Sequence, residues 1–375
     1  MAERCNGIFN CADKSDENDC NYVVIDSQSY KKSIPPLLDE KSVELNVSIF
    51  LLHINKIELP STFDAKIQLV TTWRDYRLKF KDLKKDFNII DKETQSEMWI
   101  PPLIFSNTDN DEMLVNDRKA TMDIIREGNF EHVPVEELHE GKIFKGSENI
   151  VRYSREYHFD FQCNYNLLYY PFDTQTCTID VEIPAFFNKL MNVIPNESKN
   201  LGPAHLDQFT VNKVEIFSKK NKTLVQTAIQ LRRIPSYFIA TTYLPTLCII
   251  FMALMSLFID QSYFDVILMS ALTIMLVMYT LFQSISQSMP TTAYLKLLDY
   301  WILFGMILPF FVFVIEIANE LMKSRSRLQQ STETAEDYSE RTQNQNTIVI
   351  VSRFVLPILT FLFIFTYIII VLLCI

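Results

Sequence analysis

Between Asp265 and Pro290 the chain reads DVILMSALTIMLVMYTLFQSISQSMP, apolar and long enough to cross a bilayer as a helix. The chemistry its polar side chains offer is the solvation of something moving past them. Thr273, Thr280, Gln283 and Gln287 fall on one helical face with Met269 and Leu276. Leu268, Leu272, Met275, Tyr279 and Phe282 keep the other faces apolar. A polar strip on an otherwise greasy helix turns toward water or protein and away from lipid. The wall of an aqueous pore and a hydrogen-bonded seam inside a helix bundle both satisfy this pattern.

Other chemistries find little footing. No hydrolase elbow, phosphate loop or zinc spacing occurs, so the chain does not read as an enzyme. His53, His132, His139, His158 and His205 have no metal-ligand spacing, and the acidic stretch 131–140 reads as a solvated loop. A net charge of −10 excludes the basic face that nucleic-acid binding wants.

The elements that hold the polar strip divide into two parts. Apolar runs concentrate after Arg233, in segments at about 236–259, 266–286, 300–318 and 347–374, each near the roughly 20 residues that span a hydrocarbon core. Between the third and fourth lies a short polar loop, 320–346. Its Lys323, Arg325 and Arg327 place it on the cytoplasmic side by the positive-inside rule, which leaves both termini outside. Residues 23–233 alternate apolar and polar instead. VELNVSIFLLHINKI and FDAKIQLVTTW flank a turn at Leu59-Pro60-Ser61-Thr62, and further strands are expected at 119–125, 151–162, 175–183, 209–217 and 223–231. Short strands joined by turns indicate an antiparallel β-sandwich, with a brief helix expected at 36–42. The fold class is therefore α+β: an extracellular antiparallel sandwich followed by a four-helix transmembrane domain.

Cys5, Cys11, Cys20, Cys163 and Cys177 lie in the polar half, where an oxidising compartment permits pairing, whereas Cys248 and Cys374 sit in apolar segments as free thiols. Asn-x-Ser/Thr sequons at Asn46, Asn196 and Asn221 fall in the same half and favour an outside location.

Residues 5–20, CNGIFNCADKSDENDC, resemble the C-terminal half of an LDL-receptor class A module. The resemblance marks residues 1–22 as a partial module, Cys5 and Cys20 as a candidate pair, and Asp16 and Glu17 as calcium ligands. Asn6 and Asn10 stand where that family places aspartates, and a flexible acidic leader fits the same residues.

Cys163 and Cys177 enclose thirteen residues containing Tyr170-Pro171-Phe172-Asp173, and here the chain resembles the Cys-loop receptors, the pentameric ligand-gated ion channels. Trp73, Asp75, Arg77 and Leu78 match that family's W-x-D-x-R-L strand. Trp99-Ile-Pro-Pro with Asn107 resembles its W-x-P-D…N segment, with Pro102 in place of the acid. Arg232-Arg233 and Pro245 match the approach to the first span. Asp299, Trp301 and Glu316 match the third, and Ser352-Arg353-Phe354 with Pro357 the fourth.

The resemblance implies a homo- or hetero-pentamer in the plasma membrane, multi-pass, with a Cys163–Cys177 disulfide and no required cofactor. It implies a pore lined by Asp265, Met269, Thr273, Leu276, Thr280, Gln283 and Gln287, with Leu276 as hydrophobic gate. Coupling falls to the first hairpin turn Leu59–Thr62, to Tyr170, Pro171, Phe172 and Asp173, to Arg233, and to the linker Pro290–Leu298. Ligand-site positions fall at Gln68, Ser106, Phe186, Phe187 and Phe217. The lysine-rich hairpin EIFSKKNKTL repels an ammonium ligand, so an anionic or apolar small molecule fits better. Neither the family's Pro-Ala-Arg run of anion channels nor its Gly-Glu-Lys run of cation channels occurs at 263–267. The acidic Asp260 and Asp265 lead to an expectation of cation selectivity. An anion channel of the same family, a non-conducting accessory subunit and an adhesion-type membrane protein are the alternatives.

Overall fold

The structure is a computed structural model, describing residues 11–12, 21–26, 28–38, 41–59, 61–85, 88–108, 114–115, 119–130, 142–219, 222–259, 261–329 and 335–374. Side chains are described at all of these except 114–115, 261, 288, 323, 325–329, 335–352 and 374. The class A-like residues Cys5, Asp16, Glu17 and Cys20 lie outside this set, as do Asn221, Asp260 and 131–140.

The chain forms two compact units. The first, Met1–Asn164, Thr176–Leu206 and Val211–Leu231, is built on strands. In order they are β1 Val23–Val24, β2 Val43–Glu58, β3 Thr62–Trp73, β4 Lys79–Lys81, β5 Ile104–Phe105, β6 Leu114–Val115 and β7 Thr121–Ile125. There follow β8 Ile143–Lys145, β9 Ile150–Gln162, β10 Thr174–Glu182, β11 Met191–Asn200, β12 Phe209–Lys219 and β13 Leu224–Arg233. A six-stranded sheet runs β11-β2-β3-β9-β6, with β7 also on β9, and a four-stranded sheet runs β12-β13-β10-β5.

The period-two pattern fixes which side chains enter the core. Phe63, Ala65, Ile67 and Leu69 of β3 are buried, as are Leu45, Val47, Ile49 and Leu51 of β2, while Asn46, Thr72 and Gln68 take the opposite face. Two expectations change here. The β11–β2 pair is parallel, so the sandwich is not purely antiparallel. No helix forms among the described residues of 36–42, where Leu38 bridges Lys41 instead. Pro35-Pro36 removes two backbone donors and biases the chain toward extended conformations.

The residues matching W-x-D-x-R-L form a buried corner. The Arg77 guanidinium donates to both oxygens of the 1 % exposed Asp75, at 2.8 and 2.7 Å, and to the carbonyls of Lys31 and Ile34. Tyr30 lies under that guanidinium at 4.4 Å, and its hydroxyl accepts from the Trp99 amide. Burial pushes the Tyr30 phenol up to about 12, with the Asp75 carboxylate adding to the shift.

The second unit comprises Tyr165–Gln175, Asp207–Thr210 and Arg232–Ile375. It holds four helices long and apolar enough to cross a membrane, at Ser236–Ser256, Phe264–Gln287, Leu297–Met322 and Arg353–Leu373. The first span takes a π-helical turn at Ile239–Tyr243, just before Pro245, whose ring denies the helix an amide donor. The third span begins with half a capping box: the Lys296 amide donates to the Asp299 carboxylate at 2.8 Å. The loop expected at 320–346 is largely helical, since the third helix runs Leu297–Gln329 and the fourth Ala335–Cys374. The Trp301 indole donates to Thr246 at 2.8 Å, and the Tyr243 and Tyr367 hydroxyls meet at 2.7 Å, joining the first span to the third and fourth.

Candidate functional site

The second-span helix, Phe264–Ser288, buries Ile267, Ala271, Ile274 and Met278 against its own chain. Ile249 and Ala253 of the first span and Met306 of the third pack there. Gly305 lets the third span approach closely, for a methyl at that position would meet the Met278 Cε at 2.6 Å. Asp265, Met269, Thr273, Leu276, Thr280, Gln283 and Gln287 are all exposed. They extend along about 33 Å of helix, the thickness of a hydrocarbon core. The exposed arc is broader than the polar strip, taking in Leu272, Val277 and Tyr279 as well.

Within the strip, the Thr273 and Thr280 hydroxyls donate to the carbonyls of Met269 and Val277, at 2.7 and 2.8 Å. Gln283 donates to the Tyr279 hydroxyl at 3.0 Å. Among the described residues none of these bonds reaches another span, so the strip forms no hydrogen-bonded seam there.

The loop enclosed by the Cys163–Cys177 disulfide contributes residues 165–175 to the same unit as the spans. Its Asp173 meets Arg233 in a fully buried pair: Nε donates to Oδ1 at 2.7 Å and Nη2 to Oδ2 at 3.2 Å, with side chains 2 % and 0 % exposed. The guanidinium lies between the rings of Tyr170 and Phe209, at 4.6 and 4.3 Å. Gln175 donates to Asp173 Oδ2, which it shares with Arg233 Nη2, and to the Asn166 carbonyl. Burial raises the Tyr170 phenol to about 12, against a downward pull from Arg233.

The loop also grips the helices directly. Its Leu168 and Tyr170 carbonyls accept from the amides of Leu297 and Leu298, at 2.8 and 3.2 Å, and its Leu167 amide donates to the Tyr294 hydroxyl at 2.9 Å. Phe172 packs against Tyr243 of the first span, with ring centres 5.9 Å apart. Lys296 holds the linker after the second span by donating to the Pro290 carbonyl at 3.4 Å. Among the residues expected at this junction, Tyr170, Phe172, Asp173 and Arg233 therefore come together. Tyr294 and Lys296 of the linker after the second span and Gln175 of the loop join them, and Phe209 joins from outside every stretch marked for coupling.

The five ligand-site positions are divided between the two sheets. Gln68 lies in the six-stranded sheet and donates to Ser154 at 2.7 Å. Ser106 follows β5, Phe186 and Phe187 follow β10, and Phe217 lies on β12, all associated with the four-stranded sheet. Phe186 is 85 % exposed and meets Phe187 edge-on at 5.3 Å. The Lys219 ammonium stands 5.3 Å from the Phe217 ring centre. Among the described residues no group of three or more His, Cys, Asp or Glu side chains is placed to hold a metal.

A model of the neurotransmitter-gated ion-channel ligand-binding domain matches residues 23–239. The chain is 23% identical over 296 residues to a gamma-aminobutyric acid receptor subunit beta-like protein of Drosophila melanogaster, covering 73% of this chain and 55% of that one. It is 23% identical over 270 residues to a glutamate-gated chloride channel of the same organism, covering 68% and 54%. With the human gamma-aminobutyric acid receptor subunit rho-2 it shares 22% identity over 284 residues, covering 72% and 56%. The chain thus spans about half the length of the curated relatives it matches.

Proposed function

Because the chain belongs to the neurotransmitter-gated ion-channel family, we propose that it is one subunit of a pentameric ligand-gated ion channel of the plasma membrane. Its strand-rich unit is extracellular on this reading, and its second span lines the pore. The observation that carries the reading is the exposure of Asp265, Met269, Thr273, Leu276, Thr280, Gln283 and Gln287 on a helix whose opposite face is buried. Five like copies around an axis, identical or related, give those side chains the aqueous face that lipid denies them. Leu276 then forms an apolar ring that stops ions by dewetting.

Opening is transmitted through the disulfide-closed loop. A movement of Tyr170–Asp173 pulls on Arg233 at the head of the first span, and on Leu297 and Leu298 beyond the second, through the bonds described above. The loop touches both flanks of the pore helix, so a displacement of it tilts that helix as a unit.

The pore passes anions on this reading. The cation selectivity expected from Asp265 gives way to its alternative, because a glutamate-gated chloride channel stands among the relatives. No Pro-Ala-Arg run supplies the preference at 263–267. The N-terminal ends of the pore helices do, each directing a partial positive charge toward the inner mouth, which Asp265 offsets in part. The agonist is a small amino acid whose carboxylate a side chain such as Lys219 can receive, in keeping with the ligands named for the relatives.

Recording from cells that express the chain alone tests both parts. Gamma-aminobutyrate or glutamate is expected to open a current whose reversal follows the chloride equilibrium potential when external chloride is replaced. A reversal that follows sodium overturns the anion reading. A surface complex without five subunits overturns the channel itself.

A further inference from the structure

A cavity of about 700 Å³ at one end of the six-stranded sheet is lined by Asn46, Thr72, Trp73, Tyr76 and Ser147 together with Lys41. Its size falls within the range of sites that enclose small molecules, roughly 300–1,000 Å³. The side chains of Asn46, Thr72, Tyr76 and Ser147 have no hydrogen-bond partner among the described residues. Four idle polar groups around one hollow, with the half-exposed Tyr76 ring beside them, suit a ligand rich in hydroxyls and carrying one apolar face.

Asn46 is also the first residue of the sequon Asn46-Val47-Ser48. Val43, Leu45 and Val47 of the same strand point into the core, so Asn46 takes the face away from it. We propose that Asn46 carries an N-linked glycan and that its first sugar is seated in this cavity. The proposal rests on the reading above that this unit is extracellular and so passes through the secretory lumen.

The chemistry is a glycosyl transfer from a lipid-diphosphate oligosaccharide. The Asn46 Nδ2 attacks the anomeric carbon of the donor, and the nitrogen–carbon bond forms as the carbon–oxygen bond to phosphate breaks. The lipid diphosphate leaves with the electron pair, and one amide proton passes to the transferase. Nδ2 keeps its second hydrogen. In the finished fold Ser48, whose hydroxyl the transferase must read, is 6 % exposed and accepts from the Asn196 Nδ2 at 3.0 Å. Transfer therefore precedes the docking of β11, whose Asn196 lies 148 residues beyond Ser48. The sheet then closes with the sugar already attached. Its hydroxyls meet Thr72, Tyr76 and Ser147, and its carbon face lies on the Tyr76 ring.

Asn196 opens the second described sequon on the neighbouring strand; it is exposed and outside the cavity lining, although its Nδ2 bonds Ser48, and it serves as the internal comparison. The full chain is expressed through the secretory pathway, its glycopeptides are read by mass spectrometry, and the native protein is digested with a peptide glycoamidase. Expected are glycans at both asparagines. Release at Asn46 should be roughly tenfold slower or more than at Asn196, because a sugar seated against the cavity wall must lift away before its bond is cleaved, and denaturation should equalise the two. Asn46→Gln and Ser48→Ala each lose one glycan, and Ser48→Thr keeps it. Peptide mass spectrometry of the unaltered chain decides occupancy even where a variant fails to fold. A glycan at Asn196 with none at Asn46, or equal native release from both, overturns the proposal. Absence of sugar at both overturns the extracellular placement on which it rests.

Discussion

The guanidinium of Arg233 and the carboxylate of Asp173 face each other with two hydrogen bonds, 60 residues apart in sequence and both out of contact with water. Asp173 belongs to the disulfide-closed loop and Arg233 to the segment entering the first span, so the pair ties a loop to a helix end. Removing one partner strands a buried charge, at a cost of about 3–5 kcal/mol. Arg233→Ala and Asp173→Ala are each expected to cut surface assembly sharply. The double variant should lose less than the sum, since neither charge is then left alone. Arg233→Lys should rescue only in part, because an ammonium cannot fork onto both oxygens while spanning Tyr170 and Phe209. Surface labelling and size analysis of the four variants check this, and additive losses would contradict it.

Two glycines are predicted to differ for a reason that lies in what surrounds them. A methyl at Gly146 would stand 2.0 Å from the Asp75 carbonyl oxygen and 2.6 Å from that of Leu78, backbone atoms of the buried corner. Gly146→Ala should therefore destabilise by at least about 1–3 kcal/mol. A methyl at Gly305 meets the far end of the flexible Met278 side chain at 2.6 Å and Ile250 Cδ1 at an ordinary 3.7 Å, so Gly305→Ala asks only a side chain to shift and should cost less. Thermal unfolding of the two variants, side by side, gives the comparison.

Glu156 supplies a pH test. Burial pushes its carboxyl up, but the ammonium groups of Lys66 and Lys119, at 2.9 and 3.0 Å, outweigh that and hold it below the ordinary glutamate value. A lowered folded-state value means that the unfolded chain binds the proton first as pH falls. The contribution is thus present above the unfolded value and disappears as pH drops through the folded one. The melting temperature of Glu156→Gln should lie below that of the unaltered chain at neutral pH, and the two should converge below the usual glutamate range. A difference independent of pH would show that packing, not charge, sets it.

How much of this was legible follows from where the signals lie. Strands β2 and β3 announce themselves because every second residue is apolar and one face is buried. Strand β11, MNVIPNESKN, has no such alternation beyond Ile194 and includes a proline, and its parallel partner is fixed by register rather than by composition. The second-span strip was readable because helical period and polarity coincide there. Gln175 and Phe209 were not, since what makes them part of the junction is their approach to Asp173 and Arg233, and no local pattern encodes that approach. The five ligand-site positions were located only by resemblance, and their division between two sheets depends on strand order, which no single motif carries.

Leu276 is 63 % exposed midway along the second-span helix, flanked on its strip by Thr273 and Thr280, and on the channel reading it forms the gate. An apolar ring stays closed because water is expelled from it, so the barrier depends on side-chain polarity as well as on radius. Leu276→Ser should admit water and produce current without agonist. Leu276→Met, apolar and of similar volume, should leave the closed state intact. Recording holding current in the absence of ligand distinguishes the two, and identical behaviour would remove Leu276 from the gate.

On the channel reading Asp265 stands at the inner mouth of the pore. It is exposed in the first turn of the second-span helix, where the helix end itself carries a partial positive charge. On the anion reading the helix ends prevail and Asp265 is a brake. Asp265→Asn should then raise chloride conductance without moving the reversal potential away from chloride, and Asp265→Lys should raise it further, with both effects weakening at high salt as charges become screened. If the carboxylates dominate instead, the unaltered channel reverses with sodium, and Asp265→Lys moves that reversal toward chloride. The two physical pictures predict opposite starting points and the same direction of change, so the reversal potential of the unaltered channel, measured first, discriminates between them.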